Sequence, residues 1–96
     1  MKVVLIGADR LGNIPERLAA RGYSIASHIS GRAAAHQRSA SALPRDTQLM
    51  ILFTDFLGHN VMKSFRALAQ ERGVRVLACR RSASALEEQL SRLSPA

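Results

Sequence analysis

Residues able to do chemistry fall into four short groups along this 96-residue chain. Asp9, Arg10, Gly12 and Asn13 form the first group. His28, Ser30, Gly31, Arg32, His36 and Gln37 form the second. Thr54, Asp55, His59 and Asn60 form the third. Cys79, Arg80, Arg81, Ser82 and Ser84 form the fourth. The types are those of an anion site. Guanidinium forks grip phosphate and carboxylate, and Arg80-Arg81-Ser82-x-Ser84 supplies two forks with two hydroxyls. A Gly-rich turn before a helix adds backbone N–H groups, and Gly7-x4-Gly12 has that form. It lacks the third glycine of a dinucleotide fingerprint and the Gly-Lys-Ser/Thr of a P-loop. A tight turn and an anion cradle both remain readings of it. Arg32 follows the second strand, where a nicotinamide enzyme places an acid for ribose. An arginine there suits phosphate, or is a solvated loop charge.

Asp55, His59 and Cys79 are the candidates for other chemistry. Asp55 stands where receiver domains carry a phosphoacceptor. However, Asp9 is followed by Arg10 rather than by a second acid, and no lysine follows a fifth strand. Asp55 therefore reads as the holder of an arginine or the cap of its loop. His59 lies at a helix start, where the dipole favours a neutral ring able to bind a metal. His36 and His28 could join it, although three histidines far apart in sequence more often make ordinary hydrogen bonds. Cys79 reads as a buried thiol, or as a reactive one if an arginine lies beside it. No nucleophile–base–orienter set and no carboxylate pair is visible, so no catalytic residue is assigned.

The elements that must position these groups follow from the apolar pattern. Lys2–Ile6 is a continuous apolar run, as in a strand buried on both faces. Asn13, Pro15 and Glu16 signal a helix start, with Ile14 and Leu18 inward and a stop at Gly22. Tyr23–Ile29 is a second, less apolar strand. Ala33–Ala42 is a weak Ala/Ser-rich helix, and Leu43-Pro44-Arg45-Asp46 is a break. Leu49–Phe53 is the most hydrophobic strand and is expected at the centre. Thr54–Asn60 is a polar loop. Val61–Arg72 is a helix with Val61, Phe65, Leu68 and Ala69 inward, ended by Gly73. Val74–Ala78 is the last strand. Ser84 and Glu87 have capping-box spacing for a helix carrying Leu86, Leu90 and Leu93. Ser94-Pro95-Ala96 is a frayed tail.

The order βαβ(α)βαβα predicts one α/β domain over 1–96: a three-layer Rossmann-like or flavodoxin-like sheet of four parallel strands. In such sheets ligands bind beyond the carboxyl ends of the strands. All four chemical groups follow strands, so they gather at one edge. Arg21-Gly22, Pro44-Arg45-Asp46 and Arg72-Gly73 are left as plain turns at the other. Two open sheet edges on so small a body point to a homodimer.

Composition narrows the classes. Hydrophobic residues make up 47%, which argues against disorder. No apolar run reaches the ~20 residues of a membrane span. The Met1–Gly7 start reads as a strand, not a signal peptide. One cysteine excludes an internal disulfide and a cysteine-based zinc site, and fits a bacterial-type cytoplasm. The net charge of +7 is carried by 12 Arg and 2 Lys. Nucleic acid is the alternative partner, testable by a steep salt slope. Against it, aromatics are only 4%, and most of the excess arginine sits in loops at one edge rather than along one helix face.

Four segments in order carry a family resemblance: Gly7-Ala8-Asp9-Arg10-Leu11-Gly12-Asn13-Ile14-Pro15; Ser30-Gly31-Arg32 with His36-Gln37; Thr54-Asp55-Phe56-x-x-His59-Asn60; and Arg80-Arg81-Ser82. Over nearly its whole length the chain resembles the bacterial family catalogued as domain of unknown function 2325. The resemblance implies an α/β fold and a bacterial cytosolic setting, and no assigned activity. It singles out Arg10, Asn13, Arg32, Asp55, His59, Arg80 and Ser82. Some longer relatives carry cysteines around the Asp-x-x-x-His segment. Those places read Leu52, Phe56 and Met62 here, which departs from a thiolate-rich site.

The function expected is a binding module for an anionic small ligand or cofactor, haem-like or nucleotide-like. Its site would draw on Arg10, Gly12, Asn13, Arg32, His36, Asp55, His59, Asn60, Arg80, Arg81 and Ser82. If the ligand is haem, arginines clamp the propionates and His59, then His36, then His28 is the axial ligand. A Soret band in the purified protein would mark it. A basic nucleic-acid-binding regulator and a small enzyme using Asp55, His59 or Cys79 are the alternatives.

Overall fold

The computed structural model describes residues 1–30 and 43–93. The expected helix at 33–42, the tail at 94–96, and Gly31, Arg32, His36 and Gln37 lie outside the described residues. Four parallel strands form one sheet: β1 (Lys2–Ile6), β2 (Ser24–Ile29), β3 (Thr47–Phe53) and β4 (Arg75–Cys79), in the order β2-β1-β3-β4. Among the described residues, three helices lie in the two outer layers: α1 (Ile14–Ala20), α2 (His59–Arg72) and α3 (Ala83–Leu93). The arrangement is the expected Rossmann-like α/β fold.

The two central strands are the two most apolar ones. All of β1 after Lys2 is buried, as is all of β3 except Gln48. Their side chains alternate between two cores. Val3, Leu5, Leu49, Ile51 and Phe53 meet Ile14 and Leu18 of α1 and Leu86 and Leu90 of α3. Val4, Ile6, Met50 and Leu52 meet Phe65, Leu68 and Ala69 of α2. Burying both faces removes the selection for polar alternation, which is why these strands read as unbroken apolar runs. β2 is an edge strand. Most of it is exposed, with only Ile29 buried, which accounts for its weaker pattern.

The connection β1–α1–β2 places its helix on one face, and β3–α2–β4 places its helix on the other. The order therefore reverses between β1 and β3, the point beside which open α/β sheets bind ligands. Both helices that return the chain end alike. The amides of Gly22 and Tyr23 donate to Ala19 and Leu18, and those of Gly73 and Val74 donate to Gln70 and Ala69. Each is a Schellman closure, with its glycine in the left-handed region.

Three local expectations are corrected. Asn13 occupies the cap position of α1, but no side chain caps it, so the box with Glu16 does not form. The Thr54–Asn60 segment is not all loop. A 3₁₀ turn covers Thr54–Phe56, and α2 begins at His59 rather than Val61. The cap of α3 is Ser82, not Ser84. Its Oγ accepts the Ala85 amide at 3.3 Å, and its carbonyl accepts the Leu86 amide at 3.0 Å. Glu87 instead turns to Arg21 at the end of α1. A helix start is set by which residue first leaves helical dihedrals, and spacing alone allowed a shift of two.

Candidate functional site

The β4–α3 turn is the centre of the site. Its path is held from β3. The backbone N–H of Arg81 donates to Asp55 Oδ1 at 3.0 Å, so the expected arginine partner of Asp55 is an arginine backbone rather than a guanidinium. The Ser82 amide closes onto the Arg80 carbonyl at 2.8 Å. Ser82 Oγ then caps α3 and lies 3.0 Å from Ser84 Oγ. As at any helix start, the first amides, those of Ala83 and Ser84, have no intrahelical acceptor.

This turn opens onto a cleft of about 420 Å³ lined by Asp55, Arg80, Arg81, Ser82, Ser84, Ala85 and Glu88. Both carboxylates in the wall are engaged: Asp55 by the Arg81 amide, Glu88 by Arg92 at 3.0 Å. The ion pairs of the described residues use Lys2, Arg21 and Arg92, and none uses Arg10, Arg80 or Arg81. The Arg81 guanidinium carbon lies 5.7 Å from the centre of the Phe56 ring. One Arg81 terminal nitrogen lies 3.8 Å from where a Cβ on Gly12 would stand. Arg81 thus joins the segments following β1, β3 and β4.

The loop after β1 is strained and latched. Gly7 has φ 101°, and Ala8, a buried non-glycine, has φ 67°. The two carbonyls of this turn point at one ring: His28 Nε2 lies 3.2 Å from Gly7 O and 2.8 Å from Ala8 O. Both partners are acceptors, so Nε2 carries the hydrogen. Strain of this kind persists only where neighbours over-determine it, and it clusters at binding sites.

Other sequence candidates are placed apart from the cleft. Arg10 and Asn13 are exposed between β1 and α1, and His59 and Asn60 are exposed at the start of α2. Among the described residues no three His, Cys, Asp or Glu side chains cluster as a metal site. Cys79 is buried. Burial, then the nearby Asp55 carboxylate, pushes its thiol up to about 11. The shift runs opposite to the lowering that a neighbouring arginine would give.

Three contributors were not foreseen. Glu88 lies one turn beyond Ser84, a relation that i, i+4 spacing would have shown once the helix start was fixed. Ala85 follows for the same reason. Phe56 carried a signal of its own, an aromatic residue beside Asp55 in a strand-end segment.

Fold and site together define a small Rossmann-like α/β domain with an arginine-bearing cleft at the carboxyl edge of its sheet. The chain belongs to the bacterial family described as "Uncharacterized protein conserved in bacteria (DUF2325)", whose model matches residues 2–93. Comparison with curated proteins and with solved structures finds no match. Among the described residues no helix is long and apolar enough to cross a membrane.

Proposed function

We propose that this chain is a binding module for a small anionic ligand, phosphate- or carboxylate-bearing, held at the carboxyl edge of the sheet. The observation that carries the reading is the cleft itself. Arg80, Arg81, Ser82 and Ser84 meet there, while of its two carboxylates Asp55 accepts the Arg81 amide and Glu88 pairs with Arg92. A cleft of this size falls in the range of small-molecule sites, ~300–1,000 Å³.

The thiol version of the enzyme reading is disfavoured, because burial and the nearby Asp55 carboxylate keep Cys79 protonated near neutral pH. Haem is the weaker ligand choice. Among the described residues of the cleft wall only Ala85 is apolar, whereas a macrocycle needs an apolar slot. His28 has its Nε2 committed to two carbonyls. The module is taken as cytoplasmic and homodimeric, with β2 and β4 as the sheet edges where a second copy would add. Light scattering tests the dimer.

The test of function is thermal unfolding with added phosphate, pyrophosphate or citrate. A ligand that binds only the folded state raises the midpoint by mass action. Pyrophosphate at millimolar concentration is expected to raise it in the wild type and not in an Arg80→Ala/Arg81→Ala double variant. Equal response of the two proteins, or no response to any of the three anions, overturns the reading.

A further inference from the structure

We propose that the ligand of this cleft is of the mononucleotide class, a phosphate ester carrying an aromatic heterocycle, and that Phe56 is the platform on which its ring stacks. This rests on the anion-site reading above and extends it to the uncharged part of the ligand.

The starting observation is that Phe56 is out of place. Phe53 and Phe65 are 0% and 1% exposed, while Phe56 is 45% exposed. A phenyl ring left in water forgoes the burial that normally decides where aromatics go. Phe56 is not at a loose end. It belongs to the 3₁₀ turn that directly follows the central strand β3, and its neighbour Asp55 is fixed to the Arg81 amide. The turn that presents the ring is therefore tied to the same β4–α3 turn that presents Arg80, Arg81 and Ser82.

The second observation is what lies on the ring. The guanidinium of Arg81 is already there, at 5.7 Å. That distance is within cation–π range, so one face of the ring is turned toward the residue that lines the cleft. The same side chain lines the anion cleft, so the ring and the phosphate grip share one residue. A ligand with a flat ring at one end and a phosphate at the other spans that pair. Arg81 then either slides to the phosphate and yields the ring face, or closes over the heterocycle.

The surroundings discriminate between ligand classes. An alkyl chain would need several apolar neighbours, and the cleft wall offers Ala85 amid charged and hydroxyl groups. An inorganic anion would make no use of an aromatic ring. A heterocycle, apolar on its faces and polar along its edges, matches an isolated ring among polar groups.

Calorimetric titrations with ribose 5-phosphate and with AMP read the two halves separately. Wild type is expected to bind AMP roughly 10-fold more tightly than ribose 5-phosphate, the scale of one base on one aromatic ring. Phe56→Leu, which keeps apolar bulk but loses the π face, should remove that gain, so that AMP binds no more tightly than ribose 5-phosphate. Phe56→Tyr should keep the gain. Equal affinity for the two probes in wild type, or an undiminished gain in Phe56→Leu, overturns this proposal while leaving the anion site standing. Failure of both probes to bind overturns the anion site as well. Much tighter binding of a short oligoribonucleotide than of AMP, with a steep salt slope, overturns it in favour of a nucleic-acid surface.

Discussion

The carboxylate of Asp55, just past the end of β3, accepts the backbone amide of Arg81, just past the end of β4, at 3.0 Å. One hydrogen bond thus ties the turns that follow two neighbouring strands. The Arg81 side chain lies near both Phe56 and Gly12, and its guanidinium is in no ion pair among the described residues. The same carboxylate reaches the buried Cys79, whose thiol it helps to keep protonated.

Asp55→Asn keeps an oxygen acceptor for the Arg81 amide and removes the charge. Because burial is the larger cause, the Cys79 thiol should drop from about 11 but stay above its ordinary 9.0. The pH dependence of iodoacetamide alkylation measures this. A profile identical to wild type would show that the carboxylate has no hold on the thiol.

Cys79 also makes stability depend on alkaline pH. Its folded-state value lies above the ordinary one, so the folded chain holds the proton more tightly. That contribution is complete below pH 9.0 and is lost as pH climbs toward 11. The difference corresponds to about 2–3 kcal/mol. Urea unfolding from pH 8 to 11 should show a decline that is shallower by about that amount in Cys79→Ala.

Ser82 and Ser84 should separate cleanly. Ser82→Ala removes the cap of α3 and is expected to lower stability by about 1 kcal/mol. Ser84→Ala should stay within about 0.5 kcal/mol, as for an exposed position. The reverse order in chemical denaturation would restore the capping box at Ser84 and Glu87.

Gly7 is required by both angle and space. Its φ of 101° disfavours any side chain, and a Cβ would stand 3.2 Å from the Phe53 carbonyl oxygen, which cannot move without disturbing β3. Gly7→Ala should cost about 2 kcal/mol or more. Gly22→Ala, at φ 86° with open space around it, should cost about 1 kcal/mol. Equal losses would mean that the close approach to β3 carries no penalty.

Arg21 holds Glu87 through Nε at 3.0 Å and a terminal nitrogen at 2.8 Å, joining the end of α1 to α3. The arginine hydrogen bond pulls the Glu87 carboxyl below its ordinary 4.5. The pair therefore contributes above that pH and fades as pH falls through the folded-state value. Glu87→Gln should lower the unfolding midpoint slightly at pH 7 and low salt, and the difference should shrink in 1 M NaCl. A loss insensitive to salt would place the effect in packing.

The sequence by itself determined the sheet. Runs such as Val3–Ile6 and Leu49–Phe53 are long enough and apolar enough to be strands buried on both faces. The helical periods between them leave a parallel sheet as the arrangement that buries both. It also determined at which edge the candidate residues gather, because alternating strands and helices send every strand-end loop the same way. Tertiary structure decided which members of that edge meet. Asp55 and Arg81 are 26 positions apart, and no local pattern says that one will take the other's amide rather than its side chain. His28 was legible as a strand-end histidine, but its bond to Gly7 and Ala8 depends on the register between β1 and β2. Ser84 and Ser82 compete for one cap, and the fixed β4–α3 turn chose Ser82. Periodicity reports which way a residue faces. Contact across strands depends on register and turn geometry, which the chain acquires only when the sheet is closed.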